Sequence, residues 1–232
     1  LITSIALLCA TTTAFANSAT PQNVVQRPMV LSDGEFQAGA ALMYGEETDG
    51  GDQWQFAPYI AYGLTDDFTL GLGHARYRLL ERNNDGTGLE LTTGLGFTGH
   101  REVNNADDSY GVGFDLSGKY VLTTDTAFLF STQYVHWNED KRDNRSEMRY
   151  SVGVQQNVYE NVTLFADYTF SDLKDFNDNS AQSGTIGVNY ALSKTTDVGM
   201  FVHYSDFDAE KNGYKADNVF EKSAGVFLSM RF

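Results

Sequence analysis

A two-residue alternation, repeated in stretches of about ten residues from Glu35 onward, constrains this chain more than any other feature. Phe36, Ala38, Ala40, Leu42 and Tyr44 fall on one face of the first stretch, and Trp54, Phe56, Pro58, Ile60, Tyr62 and Leu64 on one face of the next. Tyr110, Val112, Phe114, Leu116, Gly118, Tyr120 and Leu122 repeat the pattern. So do Val162, Leu164, Ala166, Tyr168 and Phe170, and finally Ala224, Val226, Leu228, Met230 and Phe232. Side chains alternate between the two faces of a strand, so period two marks strands with one apolar face. No segment sustains a helical period.

The connections alternate in length as well. Short ones lie at 64–68, 122–126, 159–162 and 193–197; long polar ones lie at 46–53, 102–109, 138–147, 172–182 and 206–221. Short turns on one side and long loops on the other describe an up-and-down meander. Eleven stretches are plain if 68–81 is a single strand, but a closed antiparallel wall with both ends on one side needs an even number. A turn near Gly73 and His74 would split that stretch, with Arg82–Gly88 as a further short-side turn. The expected fold is therefore all-β: an up-and-down antiparallel transmembrane β-barrel of about 12 strands, with 10 as the alternative if one stretch lies outside the wall.

Residues 1–16 read as a signal peptide, with an apolar run ending in Ala14-Phe15-Ala16 and cleavage expected after Ala16. Cys9, the single cysteine, lies in the segment to be removed, so the mature chain has no disulfide and no thiolate metal site. Residues 17–34 read as a loose N-terminal lead-in, too short for a plug domain, which speaks against TonB-type transport. Residues 35–232 form the barrel, with no internal domain boundary.

Alternation alone does not separate a membrane barrel from a soluble one, whose apolar face points inward. Three features favour the membrane. The first is the export signal. The second is the face opposite the apolar one, made of small and polar residues such as Gln55, Gly94, Ser117, Ser131, Gln133 and Thr169, with fewer charges than a solvated wall would carry. The third is the placing of aromatics such as Trp54, Phe68, Tyr120, Trp137 and Tyr190 towards strand ends, as in interfacial girdles. With 31 acidic against 16 basic residues and a formal charge of −15, nucleic acid is excluded as a partner.

The final strand, Gly225-Val226-Phe227-Leu228-Ser229-Met230-Arg231-Phe232, resembles the C-terminal strand of bacterial outer-membrane β-barrel proteins. That resemblance implies a cell outer-membrane location among lipid and lipopolysaccharide. It also implies insertion by the barrel-assembly machinery, with Phe232 as the assembly signal. By size the chain is similar to small twelve-stranded channels such as the oligogalacturonate porins, but it lacks their strongly basic inner face.

The inner face is expected to carry Arg76, Arg78, Glu90, Asp115, Lys119, Arg149, Asp167 and Arg231. Arg78, Glu90, Lys119 and Asp115 fall on neighbouring strands, and an alternating-charge ladder there would act either as a selective constriction or as salt bridges filling a narrow interior. Most acidic residues fall on the long loops, among them Glu46, Asp52, Asp107, Asp172, Asp206 and Asp217. They either form an anionic rim able to hold divalent cations or simply keep the loops solvated. Asn83-Asn84-Asp85-Gly86 lacks the spacing of a calcium loop and reads as a turn. No cofactor or metal site is expected, and no catalytic motif occurs. His203 and Ser205 share a strand face, as in some outer-membrane lipid A deacylases, but Asp206 stands where those enzymes have Asn and no orienting Glu is evident.

The expected function is that of a porin-like channel for passive diffusion of ions or small hydrophilic solutes, and not an enzyme. The alternatives are a non-conducting structural or adhesive barrel and, behind it, a deacylase-like enzyme.

Overall fold

The computed structural model describes residues 23–47, 51–100, 109–139, 144–207 and 220–232. The signal-peptide expectation for residues 1–16 lies outside them. Twelve strands follow one another: β1 (Phe36–Glu47), β2 (Asp52–Thr65), β3 (Phe68–Gly71), β4 (His74–Leu80), β5 (Gly88–His100), β6 (Ser109–Thr123), β7 (Thr126–Glu139), β8 (Arg145–Tyr159), β9 (Val162–Lys174), β10 (Ser180–Ala191), β11 (Thr196–Ser205) and β12 (Phe220–Arg231). Each pairs antiparallel with its sequence neighbour, and β1 with β12, so the sheet closes as a barrel. The count is twelve rather than ten because the chain does turn at Leu72-Gly73, where Gly73 adopts φ +76, a conformation that costs glycine nothing. Asn83–Gly86 is a turn, closed by the Gly86 N–H donating to the Asn83 carbonyl at 2.8 Å.

The alternation sorts side chains as the sequence implies. The large apolar residues point out: Phe56, Leu95, Phe114, Val152, Ile186 and Met200 are all exposed, in a band that runs round the barrel. A contiguous apolar belt of this extent is far beyond the patches a soluble monomer exposes and is the surface of a barrel in lipid. Inside sit Thr92, Ser117, Gln155, Thr163, Thr185 and Asn189, buried and mostly polar. The closing seam is knit by Phe36 and Phe232, which exchange backbone hydrogen bonds of 3.0 and 2.8 Å with their rings 6.2 Å apart.

Several inner glycines have a cross-strand aromatic lying over them. Gly39 pairs with Tyr59, Gly187 with Phe165, Gly199 with Phe227 and Gly225 with Phe201. A Cβ at Gly39 would stand 2.4 Å from the Tyr59 ring, and one at Gly199 would stand 2.2 Å from the Phe227 ring. The missing side chain thus lets each ring fold flat against the wall instead of blocking the interior.

The hairpin β3–β4 is short. Its tip reaches only the level of Ala61 on β2 and Gly96 on β5, so the rest of β2, from Tyr59 back to Asp52, has β1 on one side and, among the described residues, no strand on the other.

Candidate functional site

The interior is the candidate site, and the register divides it into two unlike halves. Across β4 to β8, one row runs Arg76, Gly94, Asp115, Gln133, Arg149. Across β9 to β2, its counterpart runs Phe165, Gly187, Phe201, Gly225, Met43, Gln55. The first half is charged and hydrogen-bonded. The second half carries an apolar row, with Met43, Phe201 and Phe220 in one buried cluster against Phe165 and Phe227, alongside buried polar residues such as Thr185, Asn189 and Asp197.

In the polar half, Arg76 donates to Asp115 at 3.1 Å and to the Thr92 hydroxyl at 2.7 Å, while Ser117 donates to the other Asp115 oxygen at 2.6 Å. Arg149 pairs with Glu147 and donates to Gln133 at 3.3 Å; Trp137 donates its indole N–H to Glu147 at 3.1 Å. These charges are opposite in sign and held on the wall by partners.

The expected ladder of Arg78, Glu90, Lys119 and Asp115 is not what the chain builds. Arg78 turns down to Asp67 in the β2–β3 turn at 2.8 Å, because its strand position lies at the short-turn end. Asp115 takes Arg76 instead. Glu90 and Lys119 face each other across β5 and β6 but are both engaged by the lead-in. Glu90 accepts the Met29 N–H at 2.8 Å and pairs with Arg82 at 3.3 Å. Lys119 donates to the carbonyls of Val24 and Arg27 at 3.0 and 2.9 Å. Asp167 hydrogen-bonds Thr185 on the opposite flank of the lumen.

The lead-in is the feature the sequence did not reveal. Residues 23–35 are seated inside the short-turn mouth of the barrel. Val24, Val25, Arg27, Met29, Val30 and Leu31 are all buried. A single turn of 3-10 helix (Val24–Gln26) is capped by the Asn23 side chain, which accepts the Val25 N–H at 2.8 Å. Val25 packs on Val121 and Ala127. Arg27 crosses to β11 and makes a two-pronged pair with Asp197 at 2.5 and 2.8 Å; Arg231 meets the same carboxylate at 2.6 Å. Leu31 N–H reaches the Thr69 hydroxyl at 2.6 Å, and Gly34 N–H the Gly63 carbonyl at 3.0 Å. The segment therefore holds β6, β5, β11, β3 and β2 in turn, and narrows the mouth they surround. Just before β1, Glu35 is 7% exposed, and burial pushes its carboxyl up to about 7 although the Ser32 N–H, Arg231 and Arg27 pull the other way.

His203 and Ser205 both face inward but do not engage one another. His203 Nδ1 lies 3.1 Å from the Thr185 hydroxyl, and Ser205 Oγ accepts the Phe207 N–H at 3.1 Å. Among the described residues no group of three or more His, Cys, Asp and Glu side chains is placed to hold a metal ion. The acidic loop residues within 48–50, 101–108 and 208–219, Asp107 and Asp217 among them, lie outside the described residues.

No protein-family model matches the chain, and no curated protein matches it in sequence. Solved structures do match in fold. The COG4313 outer membrane channel from Pseudomonas putida F1 superposes with a TM-score of 0.62 at 12% identity, over 88% of this chain and 97% of that one. OmpT, an outer membrane protein of Vibrio cholerae, gives 0.51 at 13% identity, over 87% and 99%. The porin NanC gives 0.50 at 13% identity, over 84% and 98%. The fold is that of bacterial outer-membrane β-barrels, channels among them.

Proposed function

We propose that the chain is an outer-membrane channel for passive diffusion of ions and small hydrophilic solutes, exported by a signal peptide cleaved after Ala16. The observation that carries this reading is the polar half of the lumen. Arg76 with Asp115 and Arg149 with Glu147 line one flank, and Phe165, Phe201 and Met43 belong to an apolar row at that level on the other, so a solute crossing between them meets a transverse field. Fold neighbours that are themselves a porin and an outer membrane channel support the reading at the level of fold. On this reading the partners are outer-membrane lipid and lipopolysaccharide, small solutes, and the barrel-assembly machinery that reads Phe232; divalent cations at the acidic loops belong to the same proposal. No catalytic role is proposed, since His203 and Ser205 are engaged elsewhere.

One observation favours a second reading, a closed structural barrel: the lead-in seated in the mouth. Planar-bilayer conductance of the folded mature protein decides between them. Steady openings, with a reversal potential under a KCl gradient that moves on Asp115→Asn, support the channel. Silence from folded protein supports the closed barrel.

A further inference from the structure

We infer that the barrel wall has a lateral passage above the β3–β4 hairpin, between β2 and β5, through which small neutral amphiphiles move between the lumen and the membrane interior. This deepens the channel reading by adding a second exit and the cargo that would use it.

The backbone makes the case first. On β2, the even-numbered residues direct their N–H and C=O groups towards β3, as shown by Leu72 N–H donating to the Ile60 carbonyl at 2.9 Å. Beyond Ile60 there is no partner strand on that side among the described residues. Over about 25 Å from Ile60 back to Asp52, Pro58, Phe56 and Trp54 therefore point their backbone to a side without a partner strand among the described residues. Pro58 stands where an interior strand would need an N–H, and proline in a sheet belongs at an edge. The far side of the gap is β5, which extends past the hairpin from Phe97 to His100. At the hairpin tip β2 and β5 are three strand spacings apart, about 14 Å along the wall.

The gap lies at membrane depth. Ala61, where the hairpin stops, is level with Gln37 near the start of β1, so the opening begins close to the short-turn end of the barrel. Its outer rim is Trp54, Phe56, Leu72, Leu95 and Phe97, all exposed apolar side chains of the lipid-facing belt. An unpaired strand edge inside hydrocarbon leaves each free peptide group at a cost of several kcal/mol, and is tolerated only where it is buried in protein or lines a water-filled cavity. With no strand covering it among the described residues, the edge of β2 is assigned to the second case, a wet opening continuous with the lumen.

The inner surface leading there defines the cargo. The apolar row from Phe165 through Phe201 and Met43 ends at Gln55, on the free length of β2. Buried amide atoms Gln53 Nε2 and Gln55 Oε1 have no hydrogen-bond partner among the described residues. One is a donor and the other an acceptor, and no charged side chain lines the inner face of β2 between Gln53 and Tyr59. An apolar body on the row and a neutral hydrogen-bonding head at the glutamines match both features.

The test uses 1-N-phenylnaphthylamine, a neutral aromatic amine that fluoresces on entering a membrane interior. Cells whose outer membrane carries lipopolysaccharide express the full chain at matched levels, with folding checked by heat-modifiable electrophoretic mobility. The blocking variant lengthens the hairpin by about six alternating residues on each side of Leu72-Gly73, so that it pairs along β2 to Trp54. Ala57→Trp, which places bulk on the lumen side of the free edge, is the second variant should the first not fold. The expected result is severalfold faster probe entry with the wild type and a return to the rate of cells lacking the protein with either folded variant, while the KCl conductance of the lengthened-hairpin barrel stays at the wild-type value. Equal entry rates for wild type and variants, or no acceleration by the wild type, overturn the passage. A wild type that speeds probe entry but shows no conductance removes the hydrophilic-channel reading and leaves the lateral passage standing.

Discussion

At the scale of single residues, the interior is set by what faces what across the strands. Gly199 is the clearest case: a Cβ there would stand 2.2 Å from the Phe227 ring and 2.4 Å from the Val188 carbonyl oxygen, which leaves no room for a side chain. Gly199→Val should cost about 1–3 kcal/mol of barrel stability, the usual penalty for overpacking, measurable as a lower urea midpoint for unfolding from vesicles. Gly51→Ala, in open space, should change nothing. Asp115→Asn removes one lumen anion and leaves Arg76 facing a neutral side chain, so the reversal potential in a KCl gradient should shift towards anion selectivity. Glu35 predicts a pH effect on the lead-in. Its folded pKa of about 7 lies above the ordinary 4.5, so the folded state holds a proton that the unfolded chain gives up earlier. Its contribution to the seat is complete below 4.5 and fades as pH rises through about 7. A thiol placed by Val25→Cys should react faster with a hydrophilic maleimide above that pH, and adding Glu35→Gln should flatten the profile.

At the scale of elements, the strands were readable because each carries its own alternation, and even the split of 68–81 into two strands followed from parity and Gly73. Pairings between side chains were not readable. Arg78, Glu90, Lys119 and Asp115 do sit on adjacent inner faces, but which charge meets which depends on strand stagger and on an element from elsewhere. The lead-in is that element, and its seat is invisible locally: Val24, Val25 and Leu31 show no period, and Arg27 finds its partner Asp197 at a separation of 170 residues. The apolar half of the lumen had a sequence signal, since Tyr59, Phe165, Phe201 and Phe227 lie out of phase with the outward apolar set. Their pairing with glycines appears only once the register is known. Arg27→Ala should loosen the seat while leaving Asp197 its bond to Arg231, and is expected to raise both Val25→Cys labelling and open-channel conductance with little change in strand content.

For the whole molecule, the governing fact is the inversion of the usual protein: oil outside, polar groups within. A charge is therefore dear on one face and cheap on the other. Phe114→Lys, on the outward mid-strand position of β6, should destabilise folding into phospholipid vesicles by about 2–4 kcal/mol, and Ser131→Lys, on the inner face of β7, by far less. The seam has a consequence of another kind. Every neighbouring pair of strands is joined by a turn or loop except β1 and β12, whose contact Gln37 to Arg231 links distant stretches of polypeptide. Eleven of these ladders can zip in sequence as a growing ribbon; the twelfth must wait for the last segment to arrive. Until then the ribbon has two raw selvedges, each a template for any passing strand. The clasp made by Phe36 and Phe232 is thus a clock as well as a closure: it sets the interval over which the nascent sheet needs a guardian.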